Sequence, residues 1–284
     1  MMNYLKSLIV IVALSFSLFS CDKVDDVLAD AGLSESEIIQ GLKEALKVGT
    51  DTATGKLAAT DGYLKDAAVK LLLPPEISTA LISFKEKSIS IPFLGDITGE
   101  TIYTSGIPLL GIEPMASLED DLILGINRAA ESAANDAGPI FLDAIVGITI
   151  ADGNDILFGG VDTAATTYLN EKTRGGLFNE YEPKIDAALN SVQIGNTSVV
   201  GVYEDYVAKY NGILNTEISS FTSTTVGDLM EVNAITADDL SAYATDKGLT
   251  GLFKKVADEE RLIRTNPLNR VTDILTKVFG ELDK

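Results

Sequence analysis

Carboxylates, arginines, tyrosines and a single thiol are the side chains with which this chain could do chemistry. The sequence contains 42 acidic residues, nine tyrosines and one cysteine, but no histidine and no tryptophan. Catalysis by Ser-His-Asp or Cys-His groups needs an imidazole, and the common zinc sites need histidine or cysteine ligands. Those classes of enzyme and metal site are therefore excluded, and we expect neither a cofactor nor a metal.

One set of polar residues lies beside apolar or alanine-rich sequence, where a guanidinium group cannot stay fully solvated. The set consists of Asn127, Arg128, Glu131, Arg174, Glu260 and Arg264. Arg128 and Glu131 are three residues apart, so they can meet on one helix surface. Two interpretations stay open: a polar pocket in which Arg174 or Arg264 holds an anionic ligand group, or ion pairs that stabilise the fold.

Three other patterns have structural explanations. The sequence Asp152-Gly-Asn-Asp155 lacks the ligand spacing of a calcium loop and is better explained as part of a helix cap. The tyrosines between residues 203 and 210 have the spacing of a core face rather than of a stacking platform. Adjacent carboxylates such as Glu259 and Glu260 do not face each other on a helix, which argues against a glycosidase pair.

The single cysteine, Cys21, closes an apolar run at the N-terminus. Lys6 precedes this run, residues 8–19 are almost entirely apolar, and Ser20 places a small residue before the thiol. A positive charge, a short apolar core and a small residue at the cleavage site are the parts of a secretory signal peptide, and the run is too short to span a membrane. Residues 18–21 resemble a bacterial lipobox, which implies cleavage before Cys21 and a diacylglycerol on its sulfur.

These features predict where the protein resides. Residues 1–20 form a lipoprotein signal peptide, residues 21–33 an acidic tether and residues 34–284 a helical domain. We expect the mature chain outside the cytoplasm, lipid-anchored to a membrane of a Gram-negative bacterium, namely the outer membrane. The formal net charge of −20 disfavours binding to nucleic acid. The expected partners are therefore the membrane, through the anchor, and a ligand or protein that the sequence does not identify.

Helical periodicity dominates the sequence after the tether. Apolar residues recur every three or four positions in residues 118–133, 199–210 and 271–278, the pattern of amphipathic helices on a shared core. Further helices are predicted near 34–60, 63–71, 76–87, 139–147, 149–158, 162–173, 181–191, 236–246 and 248–264. Ser34, Thr149, Thr236 and Asn266 are interpreted as helix caps, and the pairs Asp61-Gly62, Gly159-Gly160 and Gly175-Gly176 as turns. The predicted fold class is all-α, a multi-helix single-domain bundle.

Residues 88–104 break the helical pattern. Ile89, Ile91 and Phe93 alternate with serine or proline residues, and glycines follow. This alternation is typical of a short strand, and Pro92 would confine that strand to a sheet edge. A small β-ribbon or a long loop is therefore predicted here.

Several motifs resemble one bacterial family. They include Gly41-Leu-Lys-Glu-Ala-Leu-Lys-Val-Gly-Thr50, Asn127-Arg-Ala-Ala-Glu131 and Ala257-Asp-Glu-Glu-Arg-Leu-Ile-Arg-Thr-Asn-Pro267. The family is a domain of unknown function, numbered 4197, and the resemblance extends over residues 35–280 with a departure at 85–114. It implies a small exported or lipid-anchored helical protein without an established activity, and no catalytic residue can be transferred to this chain.

On these grounds we expect a non-catalytic binding or interaction module at the cell envelope. The alternatives are a histidine-free hydrolase that uses carboxylates and a purely structural envelope protein. A pocket in which Arg174, Arg264 and carboxylates converge would favour binding or catalysis, whereas a filled core would favour a structural role or a protein partner.

Overall fold

The computed structural model describes residues 32–92, 94–219, 223–236 and 239–284. Cys21, the signal peptide and residues 22–31 of the tether lie outside these ranges. Ten α-helices account for most of the described chain: α1 (Glu35–Ala58), α2 (Pro75–Glu86), α3 (Gly99–Ser105), α4 (Ala116–Gly147), α5 (Gly153–Phe158), α6 (Ala164–Ser191), α7 (Val199–Leu214), α8 (Val226–Met230), α9 (Leu240–Thr265) and α10 (Asp273–Phe279). Short 3-10 helices lie at Pro108–Leu110, Pro267–Asn269 and Gly280–Asp283. The prediction of an all-α, multi-helix architecture is confirmed.

Three antiparallel hairpins of two strands each contain the strands of the described residues. The pairs are β1 (Ser88–Ile91) with β2 (Gly95–Thr98), β3 (Gln193–Ile194) with β4 (Thr197–Ser198), and β5 (Glu217–Ser219) with β6 (Thr224–Thr225). The β1–β2 hairpin confirms the predicted β-ribbon, with Ile89 and Ile91 buried against the helices. Phe93 lies outside the described residues, and the predicted segment continues as helix α3 rather than as ribbon.

Helix α4 lies at the centre of the bundle. It packs against α1, α6 and α7, while α9 packs against α1 and α6. Both α4 and α9 run antiparallel to α1. Lys43, near the start of α1, donates to the carbonyl of Val146 at the end of α4, and Tyr63, beyond the end of α1, donates to the carbonyl of Gly248 in the first half of α9. Small side chains on α4 let its neighbours approach closely, and the buried ones are Ala129, Ala130, Ala133, Ala134 and Ala137.

Two of the predicted caps are present in the structure. The Ser34 side chain accepts a hydrogen bond from the Glu37 N–H, and the Glu37 carboxylate accepts one from the Ser34 N–H, so α1 begins in a capping box. The Asn266 side chain accepts from the Leu268 N–H and starts the 3-10 helix that follows α9. Both devices act within three residues along the chain, which is why spacing alone could find them.

The other two predicted caps are wrong. Thr149 does not cap a helix, since α5 begins only at Gly153. The Thr149 carbonyl instead accepts a hydrogen bond from the Tyr168 hydroxyl. Helix α9 is capped by Asp239 instead of Thr236, since the Asp239 carboxylate accepts from the first backbone N–H groups of that helix. In both cases helix formation starts three or four residues later than the apolar spacing predicted.

Three helices are longer than predicted, because tertiary burial overrides local breaking signals. Helix α4 continues through Pro139 and buries Phe141 and Ile145 beyond it. Helix α6 continues through the glycine pair at 175–176, which is therefore not a turn, and through Pro183. Helix α9 joins the two segments that were predicted as separate helices at 236–246 and 248–264.

The segment 63–71 is not the helix that its spacing predicts. It forms consecutive turns that begin at Asp61, whose positive φ of 70° places the predicted chain reversal at 61–62. The backbone N–H groups of Tyr63 and Leu64 donate to the carboxylate of Glu131 on α4. A side chain from a distant helix thus provides acceptors for backbone N–H groups at the start of this segment.

Candidate functional site

The polar residues near the middle of α4 hold the segment between α1 and α2. Asn127 is fully buried, and its side chain both donates to the Leu71 carbonyl at 2.8 Å and accepts from the Leu71 N–H at 2.9 Å. One turn later, Glu131 accepts from the N–H groups of Tyr63 and Leu64 at 3.2 and 3.1 Å. Buried backbone groups that lack partners are costly, so this arrangement stabilises a segment without regular structure.

Arg128 completes this network at its solvent-facing side. Its guanidinium donates to Glu131 at 2.6 Å and to Asp61 at 2.7 Å. A hydrogen bond from Lys65 and a second one from Arg128, in this order of importance, hold the pKa of the Asp61 carboxyl below its usual range. The guanidinium therefore bonds to two protein carboxylates, and both belong to the network that holds the chain after α1.

A second buried network joins α5, α6 and α9. The Glu260 carboxylate accepts from the N–H groups of Ala165 and Thr166 at 3.0 and 2.7 Å, at the start of α6 where a helix leaves its N–H groups unpaired. Arg264 donates to Glu260 at 2.9 Å and to the carbonyls of Leu157 and Ile156 at the end of α5. The ion pair of Glu260 and Arg264 therefore provides hydrogen-bond partners for N–H groups at the start of α6 and for carbonyls at the end of α5.

Arg270 extends this network and was not among the residues selected from the sequence. Its side chain is only 2% exposed and donates to the carbonyls of Ile263 and Arg264, both at 3.0 Å, and to the carboxylate of Asp283. This hydrogen bond holds the pKa of the Asp283 carboxyl below its usual range. The available sequence signal was its position just after a helix end, where arginines commonly bond the last carbonyls.

Arg174 lies apart from both networks. It donates to the side chain of Asp246 at 2.7 Å and to the hydroxyl of Thr250 at 2.9 Å, both on α9. The Arg174 guanidinium holds the pKa of the Asp246 carboxyl below its usual range. Arg128, Arg174 and Arg264 share no hydrogen-bond partner, so the structure does not bring Arg174 and Arg264 together in one pocket.

A concave surface with a partly polar lining lies elsewhere, beside α2. A cleft of about 640 Å³ separates α2 from the segment 231–236. A smaller cleft of about 250 Å³ shares Pro75 and Glu76 with it and reaches the start of α9. We call the two together the α2 cleft, and its polar lining residues are Glu76, Thr79, Ser83, Tyr203, Tyr210, Glu231, Asn233, Thr236, Asp239, Tyr243, Asp246 and Lys247.

Asn211 fixes one wall of the α2 cleft. Its side chain donates to the Ile235 carbonyl and accepts from the Ile235 N–H, each at 2.8 Å. This is the same two-point hold that Asn127 has on Leu71. The sequence indicated only that the pair Asn211-Gly212 would end a helix, whereas α7 continues to Leu214. The role of Asn211 depends on a residue 24 positions away and has no local signature.

The tyrosines of α7 belong mainly to the core, as their spacing indicated. Tyr206 and Tyr210 are fully buried, and Tyr210 packs edge-on against Phe84 of α2 with ring centroids 5.6 Å apart. Burial raises the pKa of Tyr210 to about 12. At the other side of the cleft, the pKa of Tyr243 is raised to about 12, mainly by burial and to a smaller extent by the nearby Glu76 carboxylate. Both phenols stay protonated at neutral pH, so they can donate or accept hydrogen bonds but cannot act as bases.

The adjacent carboxylates Glu259 and Glu260 do not converge on a common point. Glu259 pairs with Lys56 on α1, whereas Glu260 is buried against the start of α6. Within the four described ranges, no group of three or more acidic or cysteine side chains is arranged to hold a metal ion. In the same ranges, no helix is both long and apolar enough to cross a membrane.

Comparison with known families places these networks in context. The family described as "Protein of unknown function (DUF4197)" matches residues 32–89 and 109–280. The chain belongs to this family. The unmatched residues 90–108 contain the tip of the β1–β2 hairpin and α3, inside the stretch where the sequence departs from the family pattern. Neither a curated protein nor a solved structure matches the chain.

The family motifs correspond to the structural networks rather than to the cleft. The motif from Asn127 to Glu131 holds the segment after α1, and the motif from 257 to 267 contains the buried pair of Glu260 and Arg264. Membership of the family supplies no activity, since its function is unknown.

Proposed function

We propose that this protein is a lipid-anchored, extracytoplasmic module of the bacterial cell envelope that binds a ligand or partner without catalysing a reaction. The N-terminal pattern that ends at Cys21 supports the anchor and the location. The α2 cleft is the binding surface in this proposal, because it combines a concave shape with several polar groups and an aromatic wall.

The absence of catalysis is proposed because of the hydrogen bonds that the side chains of the family motifs form. The side chains of Asn127, Glu131, Glu260 and Arg264 bond to backbone groups of other elements or to one another. Catalytic groups need a free face toward a substrate. These buried side chains have their hydrogen-bonding capacity directed into the fold, which is the expected pattern for a scaffold that presents a surface elsewhere.

Intact-mass spectrometry of the protein purified from native membranes tests the proposal. The expected mature chain begins at Cys21 and carries the mass of a diacylglycerol, and Cys21→Ser should release the protein from the membrane fraction. An unmodified N-terminus at any other residue would contradict the anchor.

The same instrument under native conditions tests the cleft. A non-covalently bound mass should accompany the wild-type protein and should be lost in Thr79→Trp, which fills the cleft with an indole. Thr167→Trp, at an exposed position of α6, is the matched control and should retain the bound mass. Retention in both variants, or no bound mass in the wild type, would remove the α2 cleft from the proposal.

A further inference from the structure

Five of the eleven large apolar side chains that are exposed in the described residues lie at the end of the bundle from which the N-terminal segment emerges. Their exposed fractions range from 51% for Phe158 to 89% for Leu268. We call this set the basal surface, and its members are Val146, Phe158, Val161, Leu268 and Val271. Exposed apolar groups in one region of a surface are a common mark of contact with a protein or a membrane.

Hydrogen bonds and chain position place three of these residues, Val146, Phe158 and Leu268, at one end. Val146 lies beside the start of α1, because its carbonyl accepts from Lys43 at 2.9 Å. Phe158 directly follows Leu157, whose carbonyl accepts from Arg264 at 2.9 Å near the end of α9. Leu268 lies four residues beyond Arg264, in the 3-10 helix that follows α9. The start of α1 and the ends of α4, α5 and α9 therefore meet here.

The N-terminal segment enters the fold at the same end. Leu33 is buried in the core just before α1, and Gly32 lies next to Glu281 near the C-terminus. Cys21 is eleven residues before Gly32, a span of about 40 Å at most. A lipid on Cys21 would therefore hold this end close to a bilayer. The opposite end of α4, near the exposed Leu109, is farther from the bilayer by the length of that helix. This length is about 48 Å for its 32 residues.

We propose that the basal surface rests on the lipid bilayer, with Phe158 and Leu268 inserted into the interface. This inference depends on the anchor proposed at Cys21. Asp155 and Asp162 flank Phe158 and Val161, so contact stays at the level of the headgroups and favours zwitterionic over anionic lipids.

Tryptophan reporters test this orientation, because the natural chain contains no tryptophan. The mature chain from Cys21 is coupled through its only thiol to a maleimide lipid in vesicles of phosphatidylcholine and phosphatidylethanolamine. Bromine atoms on the acyl chains quench indoles that enter the interface. Phe158→Trp and Leu268→Trp should each be quenched at least about threefold more than Leu109→Trp, the reporter at the far end.

Chemical coupling separates the test of the bilayer contact from the test of the anchor at Cys21, since the coupled lipid anchors the protein whether or not cells attach a lipid. Equal quenching at positions 158, 268 and 109 would overturn the orientation and leave the anchor at Cys21 untouched. A second variant guards against a local artefact: with the reporter at 268, Phe158→Ser should reduce quenching and Leu109→Ser should not. A larger effect of Leu109→Ser would also overturn the proposal.

Discussion

At the scale of single residues, arginines that look alike in sequence have different environments. The Arg264 side chain is 4% exposed, whereas those of Arg128 and Arg174 are 29% and 33% exposed. The sequence groups the three as cations that cannot stay fully solvated, and the structure shows that Arg128 and Arg174 are partly buried whereas Arg264 is almost completely buried. Of these three, Arg264 alone is almost completely buried, with Glu260 as its counter-ion.

Arg264→Ala is expected to lower the free energy of unfolding by about 3–5 kcal/mol, because it leaves the Glu260 carboxylate buried without its counter-ion. Arg261→Ala, on the same helix but paired with Asp258 at the surface, should lower it by about 0–1 kcal/mol. Urea denaturation followed by circular dichroism measures both. Equal losses in the two variants would show that Arg264 does not form a buried pair in solution.

At the scale of helices, glycines determine which pairs can approach closely. A Cβ atom at Gly41 of α1 would lie 2.6 Å from the side chain of Val278 on α10, closer than side chains can pack. A Cβ atom at Gly55 of the same helix would meet nothing within 4 Å. The first glycine is therefore needed for the contact between α1 and α10, and the second only weakens its own helix.

These two glycines give a matched pair of substitutions with opposite signs. Gly41→Ala should destabilise the protein by about 1–3 kcal/mol, because α10 must shift or Val278 must leave its rotamer. Gly55→Ala should stabilise it by roughly 0.5–1 kcal/mol, since alanine is the better helix former at an exposed site. Thermal unfolding of both variants checks the signs, and Val278→Ala should partly rescue Gly41→Ala. Stabilisation by both alanines would contradict the close packing of α10 on α1.

At the scale of the whole molecule, buried tyrosines couple proton release to unfolding at high pH. Burial raises the pKa of Tyr63 and, with the Glu119 hydrogen bond, that of Tyr103, while Tyr210 and Tyr243 are raised to about 12. The folded pKa values exceed the unfolded value of about 10. Their contribution to stability is therefore complete below pH 10 and is lost as the pH rises through the folded values.

Absorbance at the phenolate band measures this coupling cleanly, because the chain lacks tryptophan. The native chain should release fewer phenolic protons than the urea-unfolded chain at pH 11, and the remaining protons should leave together with the loss of helical circular dichroism. Tyr243→Phe should remove one of the delayed protons. Identical titration curves for the native and unfolded chains would mean that these tyrosines are not buried in solution.

Sequence alone determined the features that depend on neighbours within about four residues. Helical periodicity, the capping box of Ser34 and the cap at Asn266 are local, and so is the spacing that lets Glu260 meet Arg264. The alternation at 88–91 likewise specified a strand. These interactions form in the folded state with the geometry that the chain itself imposes, so their residue types and spacing suffice.

Only the tertiary structure decided where helices end and where polar groups from separate segments meet. The glycine pair at 175–176 reads as a turn, yet it lies within α6 because the apolar residues on both sides are buried together. Glu260 caps a helix 94 residues away, and Asn211 fixes Ile235 in the wall of the α2 cleft. Such contacts depend on how whole helices are placed relative to one another. That placement is determined by the burial of many apolar residues at once, so neither partner of a contact has a local sequence pattern that predicts it.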